Sequence, residues 1–302
     1  MDRKTFFLAL FTVVIWGSGF AGIRASILAG FSSGHLVLFR FLVASSVFLI
    51  YAFFTRSTFT LPRKEDILRI FLLGLVGITV YHLGVTFGQQ TITAGTTSMI
   101  VGSAPIFTTL IAVFIFKERM EWFGWLGLAV GFVGISLITI GSSDGESFVL
   151  SNGLLMVIAA TIAASIFFVY QKPLFQRYHP IELTAYFTWA GTIPMLFFFP
   201  GLWENIQSVS WQANVSAVYV GVFPAAICYA TWAIATSRGD ISKLSPMLYL
   251  EPAFAVLIAW IWLNELPSGL SLIGGGIAVS SVAIVNIIGH RVRRRERKLT
   301  GN

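Results

Sequence analysis

Ten stretches of about twenty consecutive apolar residues, with little between them, constrain this chain more than any other feature. They run at about 5 to 24, 35 to 54, 67 to 88, 95 to 116 and 122 to 140. A second five follow at about 152 to 170, 182 to 200, 214 to 236, 243 to 263 and 269 to 288, each bounded by polar, Gly or Pro residues. A bilayer core about 30 Å thick takes about 20 residues of helix. In hydrocarbon the backbone must satisfy its own hydrogen bonds, which leaves helices or a closed barrel, and unbroken apolar runs without alternation predict helices. Hydrophobic residues make up 56% of the chain and charged residues 11%, against about 25% charged in soluble domains. Lipid is therefore the predicted solvent, and no room is left for a sizeable soluble domain.

The first stretch, preceded by Arg3 and Lys4, has the outline of a secretory signal peptide. Its later part, Trp16-Gly17-Ser18-Gly19-Phe20, stays helix-compatible and takes part in an internal repeat, so it is read as the first span. The net charge of +7 is a matter of placement, not of a nucleic-acid partner. With the N-terminus inside, 18 of the 20 Lys and Arg fall on the cytoplasmic side: 3 and 4, 56 to 69, 117 and 119, 172 and 177, 238 and 243, and 291 to 298. Arg24 and Arg40 are the other two. The connections expected outside, around 89 to 94, 141 to 151, 201 to 213 and 264 to 268, carry none. This is the positive-inside distribution, and it requires an even number of spans with both termini cytoplasmic. The basic tail at 291–302 reads as a topology lock beside anionic lipid. Cys228 is the single cysteine, so it forms no intramolecular disulfide, and it reads as a small packing residue.

Shifting the sequence by 147 residues superposes its halves without a gap. Pro105 meets Pro252, Glu118 meets Glu265, Gly127 meets Gly274 and Gly74 meets Gly221. Each half holds five spans, an odd number, so the copies must enter the membrane from opposite sides. The expected architecture is an all-α integral membrane protein of ten transmembrane helices. It forms two inverted five-helix repeats (1–147 and 148–290) around a central cavity, followed by the tail at 291–302. Inverted repeats with a site near the midplane are a common construction of secondary transporters, because two nearly equivalent halves can exchange conformations.

The motif Trp16-Gly17-Ser18-Gly19-Phe20, the Phe39-Arg40-Phe41 triplet and the Ala-Pro segment ending near Lys117-Glu118 carry a resemblance in the first half. Glu251-Pro252, Glu265 and the glycine-rich tenth span carry it in the second. Together they make the chain resemble the EamA family of the drug/metabolite transporter superfamily over nearly its whole length. The resemblance implies solute export across the inner membrane, a cavity between spans 1 to 4 and 6 to 9, and peripheral spans 5 and 10. It leaves the cargo open.

Charged groups inside a bilayer are costly, so polar residues within spans mark candidate sites. Arg40, early in the second span, can hold a substrate carboxylate through its planar fork, or it can snorkel or pair structurally. Glu251, the acidic residue well inside a span, has two readings: proton uptake in coupling, or satisfaction of the backbone freed by Pro252. His82 beside Tyr81 is either a cavity residue or a hydrogen-bonded packer. Trp16, Trp189, Tyr229 and Tyr249 are candidates for an aromatic wall, or else core or interfacial anchors. Pro105 and Pro252 break their helices and are candidate hinges. Arg24 reads as an interfacial anchor, and Glu118 and Glu265 as helix caps. The glycines at 127, 131 and 134, with those at 274 to 276, permit close helix packing or a homodimer face.

Other classes are poorly served. No His-Glu-x-x-His occurs, the four aspartates (Asp2, Asp66, Asp144, Asp240) all fall in loops, and no Gly-x-x-x-x-Gly-Lys-Ser/Thr nucleotide loop is present. An enzyme, a cofactor or a metal site is therefore not expected. Short loops disfavour a receptor, and Thr79-Val80-Tyr81 resembles a channel filter only superficially. The expectation is a secondary carrier exporting small organic solutes, with amino acids or related metabolites as first candidates. Uptake or exchange of drugs and metabolites is the alternative.

Overall fold

The computed structural model describes residues 3–54, 59–114, 122–141, 151–238 and 245–280, and among these it is helical throughout, with turns and no strand. Glu118, the connection at 142–150 and the basic tail lie outside the described residues, as do the side chains of Pro105 and Tyr249.

Every apolar run is helical where described. The long helices are α1 (Arg3–Leu28), α2 (Ser33–Phe54), α3 (Lys64–Gly88), α4 in two pieces (Ala94–Val101 and Ala104–Phe114), α5 (Trp122–Gly141), α6 (Asn152–Gln171), α7 (Pro180–Met195), α8 (Trp211–Ala235), α9 (Glu251–Leu263) and α10 (Gly269–Ser280), with a short helix Leu202–Ser208 between α7 and α8. By length and composition α1, α2, α3, α6 and α8 can each cross a bilayer, whereas α9 and α10 are shorter apolar helices. Large apolar side chains such as Phe53, Phe132, Trp211 and Ile261 are exposed on the outside of the bundle. A surface of that kind suits lipid and not water.

Local chemistry explains the boundaries. Thr93 and Ser210 cap α4 and α8 by accepting from Thr96 N and Ala213 N, each at 3.2 Å. α1 stops where Gly30 takes a φ of +96°, and Phe31 N reaches back to Ser26 O at 3.0 Å. α9 stops in the same manner at Asn264, whose φ is 54°. The next amide, Glu265 N, then bonds Ala259 O at 3.4 Å. Both prolines stand second in a helical piece, where a missing N–H costs least. The chain breaks just before each: at Gly102 and Ser103 within α4, and in the 3₁₀ turn Ser245–Leu250 leading into α9.

Several local features recur at the interval of 147. A π-turn occupies Leu75–Val80 in α3 and another occupies Phe223–Ile227 in α8. Just before them stand Gly74 and Gly221. A Cβ on Gly74 would lie 2.8 Å from Phe187 O, and one on Gly221 would lie 2.8 Å from Arg40 O. Arg40 and Phe187 are themselves 147 apart, so the two close approaches, α3 on α7 and α8 on α2, are the same contact made twice. Two hydrogen bonds join residues 147 apart, His82 with Tyr229 at 3.1 Å and Ser45 with Thr192 at 3.1 Å.

Two apolar clusters hold the bundle. One gathers Phe41, Ile78, Phe167, Phe187 and Met195 from α2, α3, α6 and α7. The other gathers Phe20, Ala217, Val220, Ala255 and Ala259 from α1, α8 and α9. Of the glycines expected to permit packing or dimerisation, Gly134, Gly274 and Gly275 pack within the chain, whereas a Cβ on Gly276 would meet nothing within 4 Å. A Cβ on Gly134 would lie 2.6 Å from Ala278 N, and one on Gly274 would lie 2.7 Å from Gly134 O, so α5 and α10 seat directly on one another. Gly275 is likewise covered, by Met99.

Candidate functional site

The third helix carries the polar spine of the bundle. Thr79, His82, Thr86 and Gln89 follow a three-four-three spacing, which puts them on one face of α3, and all four are buried. Opposite them stands Arg40 of α2, 1% exposed. Its helix presents Leu36, Val37, Phe41 and Ala44 to the interior as well, so the arginine is carried inward with an apolar face. One guanidinium nitrogen donates to Thr86 Oγ1 at 3.2 Å, and Nε has no hydrogen-bond partner. Among the described residues no carboxylate lies within ion-pair distance of Arg40. An arginine this deeply enclosed does not snorkel, and its guanidinium lies over the Phe41 ring, 5.9 Å from the centroid, with no ion-pair partner among the described residues. That is costly, because a buried guanidinium is tolerated best when a counter-charge offsets its desolvation.

Aromatic rings close around it. His82 shares its hydrogen bond with the Tyr229 hydroxyl and lies tilted at 4.5 Å from Phe41 and edge-on at 4.6 Å from Tyr81, centroid to centroid. Trp16 of α1 meets Tyr229 edge-on at 5.4 Å and Trp232 at 5.6 Å. Its indole N–H donates to Pro224 O at 3.0 Å, a carbonyl within the π-turn of α8. Glu251 opens α9, and its backbone lies against Gly17 of α1. Its carboxylate makes no hydrogen bond or ion pair with a described residue, and it is within Coulombic reach of Tyr81, Tyr229 and Cys228. Pro252, next in α9, is buried and would touch a Cβ on Gly102 at the break of α4.

Arg40, Tyr81, His82, Trp16, Tyr229 and Glu251 thus come together from α1, α2, α3, α8 and α9. Trp189 does not join them. It lies with Phe59 and Tyr186, both at 5.8 Å, and donates to Ser45 O at 3.3 Å. Thr86, which holds Arg40, and Trp232, which extends the aromatic wall, escape a residue-by-residue search for ionisable groups. The polar spacing along α3 is the signal that finds Thr86.

Arg24 is not merely an interfacial anchor. Its Nε donates to Glu265 Oε1 at 2.9 Å, and its Nη1 donates to Gln89 O and, at 3.2 Å, to Gln90 O. Glu265 accordingly pairs across the bundle instead of serving only as a cap.

A bundle of apolar helices wrapped around a buried polar cluster defines the class: a multi-pass membrane protein. The chain belongs to the EamA-like transporter family, whose family model matches it twice, over residues 3–140 and 151–287. It is 39% identical to the uncharacterized transporter YdfC of Bacillus subtilis over 89% of this chain and 86% of that one. It is 32% identical to a probable terminal-alkyne amino-acid exporter of Streptantibioticus cattleyicolor over 99% and 98%. It is 24% identical to a probable amino-acid metabolite efflux pump of Salmonella typhimurium over 98% and 99%. A solved crystal structure with 17% identity shares the fold, with a TM-score of 0.65 over 97% of this chain and 99% of the other.

Proposed function

We propose that this protein is a secondary carrier of the inner membrane. It exports small carboxylated solutes, amino acids or related metabolites, by alternating access of one central site. The observation that carries the proposal is the buried Arg40 guanidinium, which has no counter-ion among the described residues and lies within electrostatic reach of Tyr81, Tyr229 and His82. A cargo carboxylate supplies the missing charge, and a cargo ammonium suits the uncommitted Glu251 carboxylate. Trp16 and Tyr229 supply apolar area for the rest of the molecule. The printed names of two relatives, an amino-acid exporter and an amino-acid metabolite efflux pump, support this cargo class.

Ten spans in two inverted repeats, with both termini cytoplasmic, are the topology proposed. The paired π-turns, the repeated glycine contacts and the hydrogen bonds between residues 147 apart support it. In an inverted repeat residues i and i+147 touch near the pseudo-two-fold axis, and the His82–Tyr229 hydrogen bond supports such an axis within the polar cluster. The cluster itself is asymmetric: the counterparts of Arg40, Glu251 and Trp16 are Phe187, Ala104 and Ala163. One composite site shared between the halves is what alternating access about such an axis requires. The helix breaks before Pro105 and Pro252 are the proposed hinges.

Counterflow in proteoliposomes with a panel of labelled amino acids tests the function. The parent protein exchanges carboxylated cargo, and Arg40→Ala loses it by at least about tenfold, the equivalent of about 1.4 kcal/mol. Equal exchange by Arg40→Ala sinks the anion-anchor role. Side-specific labelling tests the topology, with the 201 to 213 connection expected on the face opposite the 55 to 66 connection.

A further inference from the structure

Away from the polar cluster, at the end of the bundle opposite the N-terminus, three helix C-termini converge. α1 brings Arg24, α3 brings Gln89 and Gln90 just past its last turn, and α9 brings Glu265, positioned by the left-handed turn at Asn264. We infer that Arg24 is a strap that closes the extracellular mouth of the central site by tying Glu265 of the second half to the α3 terminus of the first. The inference rests on the carrier topology proposed above, which makes this end the outer one.

The geometry suits a latch that can open. Arg24 divides its fork between an acid and two carbonyls. Nε serves Glu265 Oε1 at 2.9 Å, while Nη1 serves the carbonyls of Gln89 and Gln90. Those carbonyls are orphans of the α3 C-terminus, where the helix dipole favours a cation. The side chains of Arg24 and Glu265 are only 14% and 17% exposed, so their attraction is less screened than that of a surface pair. The closed arrangement is nevertheless incompletely satisfied: Glu265 Oε2 and both amide atoms of Gln89 are buried without a hydrogen-bond partner. Opening this end to water relieves those three atoms while it costs the strap. The two states are thereby kept close in free energy, as a carrier needs.

The repeat offers an internal control. Under the 147-residue shift Arg24 corresponds to Gln171 and Glu265 to Glu118. The equivalent position at the cytoplasmic end therefore lacks the cation. An Arg24-like strap therefore has no copy at position 171, which biases the resting carrier toward a closed outer face.

Ser33, at the start of α2, lies under this strap. It is 2% exposed and accepts from Gln90 Nε2 at 2.8 Å. A Ser33→Cys variant, treated with a membrane-impermeant thiol reagent in right-side-out and in inverted vesicles, reports opening, with the parent bearing only buried Cys228 as the blank. Glu265→Gln and Arg24→Gln in that background are each expected to raise the labelling rate about tenfold from the outer face alone, equivalent to about 1.4 kcal/mol. Arg24→Lys keeps the charge but not the fork and is expected to fall between. It also serves if a neutral variant fails to reach the membrane. Unchanged labelling in the variants that insert overturns the strap. An increase confined to the inverted vesicles leaves a latch but overturns the topology, and a parent without counterflow overturns the transport function while labelling still reports the strap.

Discussion

Replacing Arg40 by methionine separates a binding arginine from a structural one, because the two roles move stability in opposite directions. A guanidinium within a span costs up to about 2.5–3.5 kcal/mol on insertion scales, the figure for the bilayer centre. Against that cost the described residues set a hydrogen bond to Thr86 Oγ1 at 3.2 Å and the face of the Phe41 ring at 5.9 Å, with no carboxylate in ion-pair distance and with Nε unpartnered. A hydrogen bond to a charged group contributes about 1.5–3 kcal/mol. Methionine keeps most of the volume in a pocket whose neighbours include Phe41 and His82, and Thr86 can turn its hydroxyl back to its own helix. The net change in stability is therefore expected within about 1 kcal/mol of zero, or favourable. Cargo binding behaves differently, since losing one partner of a buried charge pair costs about 2–4 kcal/mol, a weakening of about thirtyfold to several hundredfold. The assay is paired: melting of detergent-purified protein followed by the fluorescence of its nine tryptophans, and equilibrium binding of a labelled amino acid. Binding lost with melting retained is the expected pattern. A lowered melting temperature with binding intact refutes it, and Arg40 is then a structural residue.

Glu251→Gln is expected to weaken counterflow of cargo that bears an ammonium by about tenfold, equivalent to about 1.4 kcal/mol, while cargo with a carboxylate alone exchanges as in the parent; equal exchange of both removes the carboxylate from the site. Gly221→Val drives a side chain into Arg40 O, and Gly74→Val drives one into Phe187 O. Each is expected to destabilise by about 1–3 kcal/mol, measured as a lower melting temperature, and Gly221→Val additionally weakens cargo binding because it displaces the backbone that bears Arg40. Trp189→Phe, remote from the polar cluster beside Phe59 and Tyr186, is expected to leave cargo affinity within about twofold, checked by competition binding. A tenfold loss there means that the site extends farther along α7 than its ring contacts indicate.

Much was legible in the sequence by itself: lipid as solvent, helix as the form of the apolar runs where they are described, the breaks before Pro105 and Pro252, the interval of 147, the family, and Arg40, His82 and Glu251 as residues out of place in hydrocarbon. All of these are properties of single segments, or of two segments compared by register, and hydropathy and proline chemistry act over that range. Only the tertiary structure decided which way each helix turns. A helix apolar on every side has no amphipathic face from which its rotation could be read, so Trp16 and Trp189, alike as residues, part company in the fold. Partners far apart in the chain were equally out of reach: Thr86 for Arg40, Tyr229 for His82, and Glu265 with the α3 carbonyls for Arg24. Such pairings follow from the close approach of helices at glycines such as Gly74 and Gly221, and from π-turns that rotate everything beyond them. They are settled by packing, a property no single stretch of the chain contains.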